Sequence, residues 1–99
     1  MIDFSAVEGF DWDEGNVNKS LDKHRVAPAE AEQVFSGNPL IVADIKHSGD
    51  EQRFQALGTS FDGRMLHVTF TLRKAGKKLR IISARDMSRR ERAFYEQEA

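Results

Sequence analysis

The sequence predicts one small α+β domain, in which a four-stranded antiparallel sheet has its helices packed on one face, in the order ααββββα. The chain has 99 residues, of which 39% are hydrophobic and 31% charged, enough for a single hydrophobic core. Helical signals fill its first third, and the alternation typical of strands follows. Short connections between the strand segments favour an antiparallel meander.

Two helices are expected before the sheet. The first spans residues 12–24, where Asp11 and Glu14 have the spacing of a capping box. The second spans residues 28–36, and Pro28 suits its first helical position.

Four strands and a third helix complete the predicted fold. The strands are expected at residues 40–45, 52–59, 64–73 and 78–84. Asp62-Gly63 is a hairpin signal, and the strand that follows it alternates cleanly, with His67 on its polar face. Ser88 and Glu91 form a second capping box, which begins a helix that continues to about residue 97.

The composition excludes several classes of protein. The chain contains no cysteine, which excludes a disulfide framework, a thiolate metal site and a cysteine nucleophile. No apolar run approaches the roughly 20 residues that span a bilayer, and no secretory signal is visible. We therefore expect a cytoplasmic protein without membrane contact.

Charge is distributed unevenly along the chain. Residues 1–52 carry 4 Lys/Arg and 11 Asp/Glu, whereas residues 53–99 carry 11 and 5, which gives net charges of −7 and +6. One interpretation is a polyanion partner on a basic face and a basic partner on an acidic face. The other is that charges scatter unevenly in any short chain.

Common catalytic and metal-binding motifs are absent. The sequence has no glycine-rich phosphate loop and no His-Glu-x-x-His motif. The three histidines lie on different predicted elements, without the spacing of metal ligands. We therefore expect no metal and no cofactor, and a metal-dependent nuclease is kept only as an alternative that EDTA would reveal.

Arginine dominates the second half of the chain, which suits binding of phosphate. The arginines are Arg53, Arg64, Arg73, Arg80, Arg85, Arg89, Arg90 and Arg92. RNA cleavage without a metal needs a base for the ribose 2′-OH, cations for the phosphorane and an acid for the leaving oxygen. Histidine, glutamate, tyrosine and arginine can fill these roles.

Each candidate also has a structural explanation. His67 is either a hydrogen-bonded strand residue or a base, and His24 lies where a helix end favours a cation anyway. His47 lies in a predicted loop, where functional residues are more common. Arg80 is either paired with an acidic residue or grips phosphate. Tyr95 is more simply a packing residue, and the arginines near it a solvated helix face.

A series of motifs resembles the BrnT toxin family. They are Phe10-Asp11-Trp12-Asp13, Lys23-His24-Arg25-Val26, Val34-Phe35, His47-Ser48, Glu51-x-Arg53, Ala56-Leu57-Gly58-x-Ser60, Gly63-Arg64, Arg80-Ile81-Ile82-Ser83-Ala84-Arg85, Glu91-Arg92 and Tyr95. The resemblance implies a RelE-like fold and an RNA-cleaving toxin of a bacterial type II toxin–antitoxin pair. It also implies a BrnA-type antitoxin that binds the active face, contacts operator DNA and, with the toxin, represses their operon.

Three positions depart from the family pattern. Asn16 stands where lysine is usual, Ser20 where asparagine is usual, and Arg25 where glycine is usual. Arg25 is expected to deprive the first helix of a glycine-type end, and Ser20 to lose a side-chain amide contact.

The leading hypothesis is therefore a metal-independent endoribonuclease toxin. Arg64, Arg80 and Arg85 are the expected phosphate and transition-state cations, and His47 and Glu51 the acid/base candidates. Further RNA contacts are expected from Arg53, which would orient the phosphate, and from His24, His67, Arg73, Arg89, Arg92 and Tyr95. The alternative is a catalytically weak module that acts mainly by binding a DNA-binding partner.

Overall fold

The computed structural model describes residues 2, 4–46, 49 and 51–98. Its elements are β1 (Gly9–Trp12), α1 (Glu14–His24), α2 (Pro28–Gln33), β2 (Leu40–Asp44), β3 (Arg53–Thr59), β4 (Met65–Arg73), β5 (Lys78–Asp86) and α3 (Arg89–Glu98), with short 3-10 turns at Phe4–Ala6 and Val34–Ser36. The predicted α+β class is confirmed. No helix in this part of the chain is long and apolar enough to cross a membrane.

The sheet has a fifth strand and is mixed, so the prediction of four antiparallel strands is wrong. The strand order is β1-β5-β4-β3-β2, and β1 runs parallel to β5 while all other neighbours are antiparallel. With only 4 residues, β1 is too short to produce a clear alternation. Asp11 belongs to this strand, and the residue that caps α1 is Asp13, whose side chain accepts a hydrogen bond from the Gly15 N–H.

Arg25 ends α1 in the conformation that was expected to require glycine. Its φ of 57° and ψ of 35° are left-handed, and its N–H donates to the Leu21 carbonyl. The Val26 N–H donates to the Ser20 carbonyl. The expectation that this helix must end differently is therefore wrong, because the arginine tolerates a backbone geometry that costs a non-glycine residue about 1–2 kcal/mol.

Ser20 joins α1 to β5. Its side chain is 2% exposed, and its hydroxyl accepts a hydrogen bond from the Ala84 N–H at 3.1 Å. Because β1 ends at Trp12, opposite Ile81, this N–H lies beyond the reach of the parallel ladder. The serine thus satisfies a strand donor that would otherwise be buried without a partner.

The hydrophobic core lies between the first two helices and one face of the sheet. The fully buried side chains that form it are Val26, Ala31, Val34, Ala56, Leu66, Val68, Phe70, Leu79, Ile81 and Ala84. Gly58 of β3 allows the segment after α2 to approach the sheet closely, because a Cβ at this position would lie 2.7 Å from the Val34 Cγ1.

The third helix packs on the opposite face of the sheet, so the prediction that all helices share one face is wrong. The hydroxyls of Tyr95 and Thr59 are 2.9 Å apart. Thr59 pairs with Met65, which adjoins the core residue Leu66 and so faces away from the core. No described residue of α3 is buried. The helix contacts the sheet through polar groups. The spacing of its apolar residues therefore did not indicate which face of the sheet it packs on.

Candidate active site

The sheet face opposite the core is polar and only partly covered, and we call it the open face. Residues paired across neighbouring strands share a face. The register therefore assigns to the open face Arg53, Gln55, Leu57, Thr59, Met65, His67, Thr69, Thr71, Arg73, Lys78, Arg80, Ser83 and Arg85. Ser83 at its centre is exposed, whereas His67 and Thr71 are buried.

A β-bulge places Arg80 and Arg85 on the same face. In a regular strand, residues five positions apart face opposite sides. Thr69 and Phe70 are adjacent on β4, but their partners on β5 are separated by one extra residue, Ile82. Bulges often redirect side chains near active sites. Nothing in the sequence marks Ile82 as a bulge, so this placement could not be predicted.

Arg85, Glu91 and His67 form a cluster at one end of the open face, under α3. Arg85 donates from both terminal nitrogens to the two carboxylate oxygens of Glu91, at 2.7 and 2.8 Å. The Ser88 N–H donates to the same carboxylate at 2.8 Å, as the predicted capping box requires. The Nε2 of His67 lies 3.7 Å from the second carboxylate oxygen.

Hydrogen bonds and burial set the protonation states of this cluster. The hydrogen bond from Arg85 lowers the pKa of Glu91 to about 2, against the opposing effect of burial. Burial lowers the pKa of His67, and the positive charge of Arg85 acts in the same direction. The Nδ1 of His67 is buried without a hydrogen-bond partner among the described residues. At neutral pH the cluster therefore contains a carboxylate and a neutral imidazole that can accept a proton.

The opposite end of the open face holds two further ion pairs. Arg80 donates from Nε and Nη2 to one carboxylate oxygen of Asp11, at 3.1 and 2.9 Å, and this hydrogen bonding lowers the pKa of Asp11. Of the two explanations for Arg80, the ion pair is thus present. Arg73 pairs with Glu51 at 3.1 Å.

The two ends of the open face are well separated along the strands, and their ion pairs hold the guanidinium groups of Arg80 and Arg85 at different carboxylates. Arg80 lies opposite Thr71 in the sheet and Arg85 lies opposite His67. Thr71 and His67 are four residues apart on β4. At about 3.3 Å per residue this is a separation of roughly 13 Å. Arg53 also pairs with Thr71 and therefore belongs to the Arg80 end.

Arg64 lies away from the open face, at the C-terminal end of α1. It donates to Asp86 at 2.7 and 3.0 Å and to Glu30 at 2.9 Å. It also donates to the carbonyls of His24 and Arg25 at 2.9 and 2.8 Å. Carbonyl groups at a helix end need such donors, so Arg64 has a structural role here. Arg85 donates to the backbone carbonyl of the same Asp86 at 3.0 Å.

The remaining candidates are scattered. His24 is exposed at the end of α1, Arg89 and Arg92 are exposed on α3, and Tyr95 is half-buried against Thr59. His47 and Ser48 lie outside the described residues, as does the side chain of Asn16. Within the described ranges, no group of three or more His, Cys, Asp or Glu residues is arranged to hold a metal ion.

Comparisons with known proteins identify the class. A model of a family described as "Ribonuclease toxin, BrnT, of type II toxin-antitoxin system" matches residues 12–91. The crystal structure of the Brucella abortus ribonuclease toxin BrnT aligns with a TM-score of 0.60 and 21% identity, covering 84% of this chain and 100% of that one. No curated protein sequence matches. The class is thus the ribonuclease toxins of type II toxin–antitoxin systems.

This chain belongs to the BrnT family, since the family model covers most of its length. The resemblance noted in the sequence is therefore confirmed. Membership of a toxin–antitoxin family implies an antitoxin as partner.

Proposed function

We propose that this protein is a metal-independent endoribonuclease whose active site is the open face. The observation that carries the proposal is the cluster of Arg85, Glu91 and His67, in which a neutral imidazole lies close to an arginine fork. A base beside a phosphate-binding cation is the pair of groups that intramolecular cleavage of RNA requires. The cluster lies within the part of the chain that the family model matches.

The proposed reaction needs only RNA and the protein. His67 accepts the proton of a ribose 2′-OH, and the 2′-oxygen attacks the adjacent phosphorus. Arg85 stabilises the negative charge of the phosphorane. The bond from phosphorus to the 5′-oxygen then breaks, and that oxygen takes a proton from an acid. The products are a 2′,3′-cyclic phosphate and a 5′-hydroxyl.

Residues at the other end of the face bind the neighbouring backbone. Arg80 and Arg53 hold a second phosphate, because roughly 13 Å separates them from Arg85. Arg73, Arg89, Arg92 and Tyr95 are proposed as outer contacts. His47 and Glu51 remain the alternative acid/base pair, whereas Arg64 and His24 lie apart from the proposed site.

The direct test incubates purified protein, freed of any partner, with total RNA, with and without EDTA. We expect cleavage that resists EDTA and leaves 2′,3′-cyclic phosphates. Arg85→Ala and His67→Ala should each lower the rate by about 10²–10⁴. The control is Arg90→Ala, which removes an exposed arginine in α3's first turn. Unimpaired cleavage by the Arg85 and His67 variants would refute the site, and loss of activity with EDTA would point to a metal nuclease.

We also propose that the antitoxin is of the BrnA type and covers the open face. The family match and the motif resemblance support this proposal. In it, the complex binds operator DNA through the antitoxin and represses its own operon, and the toxin fold is a divergent RelE-like one. Operator binding by the toxin alone would contradict this arrangement.

A second function is favoured by the ion pairs of the open face. Arg73, Arg80 and Arg85 each have a carboxylate partner, which reduces the attraction for a polyanion. The protein would then act mainly by binding its partner, with weak cleavage or none. Absence of cleavage by folded, partner-free protein that still binds the antitoxin would select this function.

A further inference from the structure

We propose that the Glu91 carboxylate occupies a binding site for a phosphodiester, and that a phosphate of the RNA backbone replaces it there. This proposal rests on the proposed function and names the group that the Arg85 end of the open face recognises. The carboxylate serves in the structure as an internal stand-in for the substrate's anion.

The site is already built for an anion. Both terminal nitrogens of Arg85 point at the carboxylate, at 2.7 and 2.8 Å, and the Ser88 N–H adds a third donor at 2.8 Å. The nearly fully buried imidazole of His67 lies 3.7 Å from the same group. A carboxylate and a phosphodiester each carry one negative charge and offer two oxygens to an arginine fork. A phosphate seated there would have the imidazole beside it.

The helix that carries Glu91 is attached to the sheet through few contacts. No described residue of α3 is buried, so little apolar surface would be exposed if the helix moved. The Ser88–Glu91 hydrogen bonds lie within the start of α3 itself. Among the described residues, the Glu91–Arg85 pair and the hydrogen bond between Tyr95 and Thr59 attach the helix to the sheet.

The Arg80–Asp11 pair shows the contrast. Asp11 lies on β1, whose backbone is paired along β5, and Asp11 is directly opposite Arg80 in that ladder. Its backbone is fixed in the ladder, so the Asp11 carboxylate stays within reach of Arg80. Of these two arginine forks, only that of Arg85 is occupied by a group on a displaceable helix.

Acid does not release Glu91 under ordinary conditions. Because its pKa is lowered to about 2, the carboxylate stays charged across the physiological range. Release therefore requires a competing anion or the loss of the negative charge by substitution.

The test measures binding of a short 2′-O-methyl RNA, which lacks the attacking hydroxyl and is not cleaved. Glu91→Gln keeps the shape of the side chain but removes its charge, and we expect about tenfold tighter binding than for the parent. The matched control is Glu96→Gln, which makes the same change in net charge at an exposed position of the same helix. Equal affinities for the two variants would overturn the proposal.

A second variant leaves the charges of the site unchanged. Thr59→Val removes the hydroxyl that holds Tyr95, so α3 should be displaced more easily and the RNA should bind about two- to fivefold tighter. If the Glu91→Gln variant does not fold, the Thr59→Val variant provides the test. RNA binding by Thr59→Val that is unchanged or weaker than that of the parent would then refute the inference. DNA of the same sequence, tested in parallel, distinguishes a general phosphodiester site from one selective for RNA.

A spectroscopic measurement separates this inference from the proposed function. In the Glu91→Gln variant, titration with dimethyl phosphate should shift the side-chain NMR signal of Arg85 more than that of Arg80. That shift without any RNA cleavage would support the anion site and refute the ribonuclease function. Cleavage by the parent, combined with no gain in binding for either variant, would refute the anion site and leave the function standing.

Discussion

Replacing Arg25 by glycine should stabilise the protein. Arg25 has φ 57° and ψ 35° at the end of α1, a region in which a Cβ is crowded by its own backbone. The left-handed conformation costs a non-glycine residue about 1–2 kcal/mol. Arg25→Gly would remove that cost while keeping the backbone hydrogen bonds to Leu21 and from Arg64.

The net gain is smaller than the strain that is relieved. Glycine makes the unfolded chain more flexible, which opposes stability by about 0.4–1 kcal/mol. The expected increase in the free energy of unfolding is therefore about 0.5–1 kcal/mol. For a domain of 99 residues, 1 kcal/mol corresponds to about 4–8 °C in Tm, so Tm should rise by roughly 2–8 °C.

Thermal and urea unfolding, followed by circular dichroism, measure this change. The matched control is Arg25→Ala, which removes the side chain but keeps the Cβ, and which should give no comparable gain. If alanine stabilises as much as glycine, the gain comes from the lost charge or side chain and the backbone argument is refuted. A fall in stability for Arg25→Gly would refute it as well.

Four further substitutions test other parts of the structure. Ser20→Ala should cost about 1–3 kcal/mol, because it leaves the buried Ala84 N–H without an acceptor; urea unfolding measures the loss, and an unchanged midpoint would contradict it. Gly58→Ala should destabilise by about 1–3 kcal/mol through overpacking against the segment after α2, visible as a lower Tm. Arg64→Gln should lower stability by about 2 kcal/mol by uncapping α1, whereas full stability with lost cleavage would restore its predicted catalytic role. The lowered pKa of Glu91, about 2 against 4.5, predicts about 2–3 kcal/mol of stability that is complete above pH 4.5 and lost as the pH falls towards 2; Glu91→Gln should flatten that part of the urea-unfolding profile, and an identical profile would refute the assignment.

Features with local signals were predictable from the sequence. The Ser88–Glu91 capping box, the Asp62-Gly63 hairpin and the alternation of β4 each depend on residues within a few positions of one another. The structure reproduces all three, and the second helix begins at Pro28 as expected. Such features are determined by interactions between residues close in sequence, and they do not depend on tertiary packing.

Features that depend on distant partners were not predictable. Strand β1 forms only by pairing with β5, which lies 69 residues later in the sequence. Asp11 therefore forms an ion pair with Arg80 and does not cap a helix. The bulge at Ile82 alters which face each arginine occupies, and period-two reasoning has no means of detecting it. The candidate site depends on the β1–β5 pairing and on the bulge. The sequence could therefore single out Arg80 and Arg85 but could not place them on the same face of the sheet.

The fold pairs part of the acidic charge of the first half with basic charge of the second. Acidic residues of the first half pair with arginines of the second in Asp11–Arg80, Glu30–Arg64 and Glu51–Arg73. The interpretation of separate acidic and basic faces therefore does not apply to these residues. An uneven distribution of charge in a sequence can therefore reflect ion pairs within the fold as well as binding to other molecules.

The parallel pairing of β1 with β5 also determines the order in which the protein can be completed during synthesis. Strands β2 to β5 join neighbours that are close in sequence, so they can assemble as the chain emerges. Strand β1 is made first but must wait for residues 78–81 before it has a partner. Closing so long a loop carries an entropic cost that the hairpins avoid. Trp12, the single tryptophan of the chain, ends this strand and contacts Glu32, so its fluorescence would report the moment at which the sheet becomes complete.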